Sequence, residues 1–265
     1  MAAKVKPLSL EPDTESSIKE FNLQVATAAE DVIFRKFPEK ILSLQQLIEE
    51  MSSPASDYNR ANLSTDVTVY PPPSHHDNTQ PEPSSKKRRI DVIANGDSKS
   101  PSGSEGVGPS PGGAVYPQLV RMNEHVRRVQ QRNKAEFEDM VQLCDKVKLW
   151  INLTMPRIED GDNFGVQIQE EVLNELSRAQ ESAYSLRDAA RSHHLVRAKL
   201  CAKLIKYPNV EDYVIAVQDH DEKQLFMARQ HMFDVRNVYA ILFDILTKNI
   251  QKIRAPKGNN SIGMY

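Results

Sequence analysis

The amino-acid sequence predicts an all-α protein, an antiparallel four-helix bundle of long helices with a long disordered insert between helices one and two. Three observations support this fold class. Apolar residues recur every three or four positions over long stretches, which places them on one face of a helix. No segment alternates between apolar and polar residues for long, so a sheet is not expected. Prolines and glycines are concentrated in one stretch.

Length and composition limit the possible classes of protein. The 265 residues suffice for one large domain or two small ones. With 34 basic against 36 acidic residues, the chain lacks the cationic excess that general nucleic-acid or anionic-membrane binding requires, so neither partner is expected. No apolar run approaches roughly 18 residues, and the start of the chain has no apolar run, so neither a membrane span nor a secretory signal is expected.

Residues 1–50 are predicted to contain the first bundle helix. Its apolar positions include Ile18, Phe21 and Val25, whose spacings of three and four place them on one face. Pro38 lies inside this pattern and has no amide hydrogen to donate. We therefore expect it to kink or interrupt the helix.

Residues 118–255 are predicted to form helices two to four, followed by a flexible tail at 256–265. Pro156, Pro208 and Pro256 end the three helices in turn. Asn209 is a plausible N-cap for the last helix. The short connections favour antiparallel neighbours. The apolar stripes run from Met122 to Trp150, from Val172 to Leu204 and from Val210 to Ile253.

Residues 51–117 are predicted to be the disordered insert. The segment holds more than half of the 16 prolines and 10 glycines, and its few clustered apolar side chains cannot offset the entropy lost on ordering. It carries the basic run Lys86-Lys87-Arg88-Arg89. Such a run either enters the acidic pockets of a nuclear import receptor or is a solubilising charge run. Because the run is isolated and compact, we favour import, and with it a nuclear location with some cytoplasmic protein.

The residues that carry catalysis in enzymes are not arranged for it, so the chain is predicted to be neither an enzyme nor dependent on a metal or cofactor. Zinc-motif spacings, a Cys-x-x-Cys pair, a phosphate-binding loop and a nucleophile motif are all missing from the sequence. The histidines are interpreted as surface or boundary residues, and Asp219-His220-Asp221-Glu222 as a solvated helix face. Cys144 and Cys201 lie on or beside the apolar stripes and are expected to be small core residues. Two cysteines also suit a reducing compartment.

Two short segments stand out between and after the helices. The segment Arg157–Gly165 combines turn-forming residues with Ile158 and Phe164, which a solvated turn does not need. It is either an ordered loop that presents specific contacts or a simple connection. The tail is polar until its last residues and ends in Met264-Tyr265. It is either a docking peptide with a terminal carboxylate or a frayed end.

At these residues the sequence resembles the 11S proteasome activators, most closely the gamma type. The resemblance covers essentially all of the helical segments, and the basic run in the insert is a feature of the gamma type. Within the loop the family usually has Asn-Asn before Phe-Gly, whereas this chain has Asp162-Asn163. The matching stretches are Pro156–Val166, Tyr207–Tyr213, Leu246–Ile253, and Ala29–Asp31 with Phe37–Leu42.

The resemblance implies a subunit of a homo-oligomeric, heptameric ring that caps the 20S proteasome without using ATP. In such rings the C-terminal tails enter pockets of the core α-ring, and the loop between helices two and three holds the gate open and so stimulates peptide hydrolysis. Met264 and Tyr265 are then the expected core-docking residues. The expected partners are the 20S core α-ring, further copies of the chain and a nuclear import receptor. The expected activation loop consists of Arg157, Ile158, Glu159, Asp160, Gly161, Asp162, Asn163, Phe164 and Gly165.

Without the resemblance, the residues favour a non-catalytic nuclear helical scaffold or a coiled-coil assembly protein, which stays the alternative. A di-iron carboxylate enzyme built inside the bundle ranks third. It requires two Glu-x-x-His repeats, and the sequence supplies none.

Overall fold

The computed structural model describes residues 11–68, 120–157 and 164–257. The chain divides into two compact units, one made of residues 1–67 with 121–265 and the other of residues 68–120. Of the second unit, only Thr68 and Val120 are among the described residues. All of the described helices belong to the first unit.

The described residues form helices and no strand, which confirms the predicted all-α fold. The first predicted helix is one continuous helical run in which a π-helical turn, Val32–Lys36, joins two α-helices. With the three helices that follow, this run makes the four-helix bundle. The α-helices are α1 (Pro12–Asp31), α2 (Phe37–Glu50), α3 (Glu124–Thr154), α4 (Phe164–Lys206) and α5 (Glu211–Arg254).

Contacts between the helices show that neighbours run in opposite directions. On α3 and α4, the ammonium group of Lys148 donates to Gln180 at 2.8 Å, while Glu138 pairs with Arg187 at 2.8 Å. Rising residue numbers on α3 therefore meet falling numbers on α4. The same reversal relates α4 to α5, and it relates the first helical run to α5, where Glu30 meets Arg254 and Gln45 meets Arg236. The predicted antiparallel order is thus confirmed.

The π-helical turn is where Pro38 interrupts the first helix, as the sequence predicts. Pro38 cannot donate to the carbonyl group of Phe34, so one backbone hydrogen bond of a regular α-helix is missing. The backbone widens just before the proline, and the amide of Phe37 donates to the carbonyl of Val32, five residues back. The chain keeps its helical course and buries Phe37 against Tyr239, with the ring centroids 5.5 Å apart.

The core follows the predicted apolar stripes along the bundle. Cys144 and Cys201 are both buried and free of disulfides, which confirms their expected place in the core. Burial raises the pKa of the Cys144 thiol to about 12, so this group stays an uncharged apolar filler.

The bundle also includes a stretch that the sequence assigned to the insert. Residues 51–67, here called the strap, follow α2 and pack on the bundle with Met51 and Tyr58 buried. The phenol of Tyr58 donates to the side-chain oxygen of Asn133 on α3 at 2.5 Å. The ordered bundle therefore extends past the predicted boundary at residue 51, because these side chains find apolar and hydrogen-bonding partners there. Residues 69–117 of the predicted insert lie outside the described residues.

The corner between α4 and α5 differs from the prediction in its cap. The N-cap of α5 is Val210, and no side chain caps the helix. Asn209 is therefore not the cap. Glu211 and Asp212 occupy the first turn, where their negative charges complement the helix dipole.

We predict that Tyr58→Phe lowers the free energy of unfolding by about 1–3 kcal/mol, because it leaves the buried oxygen of Asn133 without its donor. Chemical denaturation monitored by circular dichroism measures the change. Tyr184→Phe removes a hydroxyl from an exposed tyrosine and is the matched control. Equal stability of the two variants would show that the strap does not hold the bundle.

Candidate functional site

The predicted loop Arg157–Gly165 and the C-terminal tail start from the same end of the bundle, and one buried side-chain amide holds this end together. Gln169, in the second turn of α4, is fully buried. Its side-chain nitrogen donates to the carbonyl of Ile253 at 2.9 Å and to the hydroxyl of Thr154 at 3.2 Å. Thr154 ends α3, and Ile253 lies in the last turn of α5. A single side chain therefore joins the three helix ends from which the loop and the tail start.

The backbone of the loop meets the backbone of the tail at Gly165. A Cβ atom at this position would lie 2.1 Å from the carbonyl oxygen of Pro256 and 2.6 Å from its Cα. Any other residue would therefore clash with main-chain atoms, which cannot turn aside as a side chain can. On the other flank of the loop, the ammonium group of Lys257 donates to the carbonyl of Arg157 at 3.5 Å. Both flanks of the loop thus contact the root of the tail.

The first residue of α4 presents an aromatic ring at this end. Phe164 is exposed although it is apolar. The ammonium group of Lys252 on α5 lies 6.0 Å from its ring centroid, at the limit of a cation–π contact. An exposed aromatic residue held at a helix terminus is a suitable contact for a protein partner.

The first helix reaches the same end through Arg254, the last residue of α5. Arg254 pairs with Glu30 of α1 at 2.8 Å, and its guanidinium group lies 5.9 Å from the ring of Phe34. Through Gln169 and Arg254, all four helices of the bundle therefore contact one another beside the root of the tail.

Three of the nine predicted loop residues are described, and the structure places them together. Arg157 and Gly165 flank the loop, and Phe164 precedes Gly165 at the start of α4. The remaining six, residues 158–163, lie outside the described residues, as do Met264 and Tyr265 of the tail and Lys86, Lys87, Arg88 and Arg89 of the insert. Their roles stay predictions.

A second polar cluster, which was not predicted from the sequence, joins the two chain segments that flank residues 68–120. The carboxylate of Asp221 on α5 is fully buried and pairs with Arg197 on α4 at 2.9 Å. It also accepts from the amide of Asn123 at 2.7 Å and from the hydroxyl of Thr65 at 3.1 Å. Thr65 lies just before residues 68–120, the second unit, and Asn123 caps α3 just after them. We call these four residues the root cluster.

Two histidines extend this cluster into the space between α4 and α5. The Nδ1 atom of His193 and the Nε2 atom of His220 lie 2.9 Å apart, so one ring donates a hydrogen bond to the other. Burial, and after it the neighbouring His220 and His194, lower the pKa of His193 to about 4. The interpretation of all histidines as surface or boundary residues was therefore wrong for His193, and also for His125, which is buried on α3.

The interpretation of Asp219–Glu222 as a solvated face was likewise wrong for Asp221. A signal was present in the sequence. Asp221 lies four residues from both Val217 and Leu225, which places it on the buried stripe of α5. Arg197 stands in the same relation to His193 and Cys201 on α4. Charged residues that fall on two facing apolar stripes indicate a buried ion pair.

Within the ranges that the structure covers, no three His, Cys, Asp or Glu side chains are grouped closely enough to hold a metal ion. Among the described helices, none is both long enough and apolar enough to cross a bilayer.

Comparison with known proteins agrees with a long-helix bundle that carries a loop and a tail at one end. The family model for the N-terminal part of proteasome activator PA28 matches residues 12–66, and the model for its C-terminal part matches residues 119–263. The stretch between the two matches, residues 67–118, lies almost wholly within the predicted insert. The chain therefore belongs to the PA28 family of proteasome activators.

Individual relatives match over nearly the whole chain. Human proteasome activator complex subunit 3 is 32% identical over 261 residues, which is 97% of this chain and 98% of the relative. The crystal structure of PA28, the 11S subunit of the Plasmodium falciparum proteasome, is 29% identical, with a TM-score of 0.69 over 96% of this chain and 100% of that one. The activator in a solved proteasome–11S activator complex shares the fold at 12% identity, with a TM-score of 0.58 over 93% of this chain and 99% of that one.

We predict that Gly165→Ala lowers the free energy of unfolding by about 1–3 kcal/mol, because the added methyl group forces α4 away from Pro256. Amide hydrogen exchange should also become faster in the last turn of α5. Gln167→Ala changes an exposed residue in the same turn and should leave both quantities unchanged. Wild-type stability and exchange in Gly165→Ala would contradict the close backbone contact.

Proposed function

We propose that the chain is a subunit of a homo-oligomeric ring that activates the 20S proteasome without ATP. In this proposal the C-terminal tails dock into the core α-ring through Met264 and Tyr265. The loop from Arg157 to Gly165 then holds the gate of the core open and stimulates peptide hydrolysis. The chain itself is a regulator and has no catalytic residues.

The observation that carries the proposal is the joining of the two flanks of the loop to the root of the tail. Gly165 packs on Pro256, and Arg157 accepts a hydrogen bond from Lys257. A tail that binds the core therefore delivers the loop at a fixed distance from the point of attachment. A loop can bias a gate only if it binds the open gate more tightly than the closed one, and such selectivity requires accurate placement.

Assembly into a ring supplies the affinity that a single tail lacks. One flexible tail binds weakly, but several tails on one rigid ring raise the effective concentration of each. The exposed faces of the helices support self-assembly, because they carry more large apolar side chains than an isolated subunit needs. These side chains include Ile18, Phe21, Leu149, Leu153, Leu195, Ile215, Phe226 and Ile241. We propose seven subunits for this ring, as the resemblance to the family implies.

The family also supports the choice of partner. The solved 11S activator with the same fold is in a complex with a proteasome. The described end of the present bundle offers an exposed aromatic residue and several cations around the roots of the loop and the tail, which suits a protein partner.

We predict that Asn163→Tyr abolishes the stimulation of fluorogenic peptide hydrolysis by purified 20S core while assembly and core binding persist. The bulky ring replaces a small turn-forming side chain at the place where the loop is to meet the gate.

Deleting Met264 and Tyr265 should instead weaken binding to the core. Because every tail loses its docking group, the affinity measured by surface plasmon resonance should fall more than about tenfold.

Asn174→Tyr is the control for the loop variant, since it places the same ring on an exposed position of α4. Full stimulation by Asn163→Tyr, or unchanged binding after the deletion, would contradict the assignment of the loop or of the tail. A wild-type chain that leaves peptide hydrolysis unchanged would instead favour the alternative, a nuclear helical scaffold or coiled-coil assembly protein.

We further propose that Lys86, Lys87, Arg88 and Arg89 bind a nuclear import receptor and give the chain a nuclear location, with some protein in the cytoplasm. Replacing all four with Ala should move a fluorescently tagged chain out of the nucleus, because the acidic pockets of the receptor lose their cations. Lys99→Ala removes a single cation from the same insert and is the control. Unchanged nuclear accumulation of the fourfold variant would contradict the import role.

A further inference from the structure

The N-terminal part of α1 buries none of its residues. Every residue of Pro12–Gln24, here called the overhang, is exposed, and the first residues to pack on the core are Val25 and Ala26. A helix of this length is marginal in water unless it packs against something. The overhang therefore points to a surface outside its own chain.

One face of the overhang is apolar. Ile18 is 44% exposed and Phe21 is 49% exposed. Their spacing from each other and from Val25 places all three side chains on one face, which continues into the core at Val25. A partner helix laid along this face would extend the hydrophobic core of the bundle.

The charges of the overhang limit what this partner can be. Asp13, Glu15 and Glu20 are acidic, and the single cation, Lys19, pairs with Glu15 at 2.6 Å. Two overhangs side by side would repel each other, so a symmetric pairing of the same segment is disfavoured. The complementary surface has to be apolar and cationic.

The chain carries such a surface on the last turns of α3. Leu149 and Leu153 are 42% and 45% exposed and lie on one face with Lys146. Arg157 follows the same helix end and is also exposed. We propose that the overhang of one copy packs across Lys146, Leu149 and Leu153 of a second copy.

This contact joins two different surfaces of identical chains. Such heterologous contacts generate rings when the rotation between copies closes. The inference therefore rests on the self-assembly proposed above and identifies one of its contact surfaces. It also places each overhang on a neighbour close to the end that bears the loop.

Disulfide trapping between two different variants tests the contact directly. One preparation carries Ile18→Cys and the other Leu153→Cys, while the native Cys144 and Cys201 are buried and do not compete. After mixing, reassembly and mild oxidation, a covalent dimer should form in the mixture and in neither variant alone. Leu23→Cys, mixed with Leu153→Cys, is the control, because Leu23 is exposed on the opposite face of the overhang. Mixed dimers no more abundant than in this control would overturn the proposal.

Assembly of charge variants provides an independent measurement. Phe21→Glu should raise the concentration at which half of the chains assemble by about tenfold or more, measured by analytical ultracentrifugation, while Leu23→Glu should leave it unchanged. Helix content by circular dichroism should stay near that of the wild type, because Phe21 is exposed and is not part of the hydrophobic core of the described residues. A wild-type chain that stays monomeric would defeat the proposed self-assembly. Normal assembly of Phe21→Glu would defeat only this contact.

Discussion

The backbone contact between Gly165 and Pro256 determines how closely the start of α4, which follows the loop, lies against the root of the tail. Because a Cβ atom would come within 2.1 Å of the Pro256 carbonyl oxygen, the start of α4 can approach the end of α5 this closely only with glycine. Gln169 then fixes the last turn of α5 and the end of α3 around the same point. The root of the tail and the start of α4 after the loop are therefore held in one rigid arrangement.

The register of the first helical run explains why its two ends are so different. Gln45 contacts Arg236, and Glu30 pairs with Arg254 at the very end of α5. The run is therefore displaced toward the loop end relative to the other helices. This displacement leaves the overhang exposed at one end. At the other end α2 is short, and Met51 and Tyr58 of the strap fill the part of the core that a longer α2 would fill.

The sequence predicted the helices well because spacing and proline report local geometry. It placed the interruption at Pro38 and the helix ends near Pro156, Pro208 and Pro256. It misjudged Asp221 and His193, whose burial depends on the facing residues Arg197 and His220 of another helix. The contact of Gly165 with Pro256 likewise joins residues far apart in the sequence, and nothing near Gly165 announces its partner.

Because of the root cluster, the stability of the bundle depends little on the length of the segment 68–120. The cluster fixes the two points at which residues 68–120 leave and rejoin the first unit, through the contacts of Asp221 with Arg197, Asn123 and Thr65. With these points held from inside the bundle, doubling the length of the connecting chain costs only about 0.6 kcal/mol in loop-closure entropy. Insertions at this position should therefore cost the bundle little stability, which makes it a suitable site for grafting a tag onto the chain.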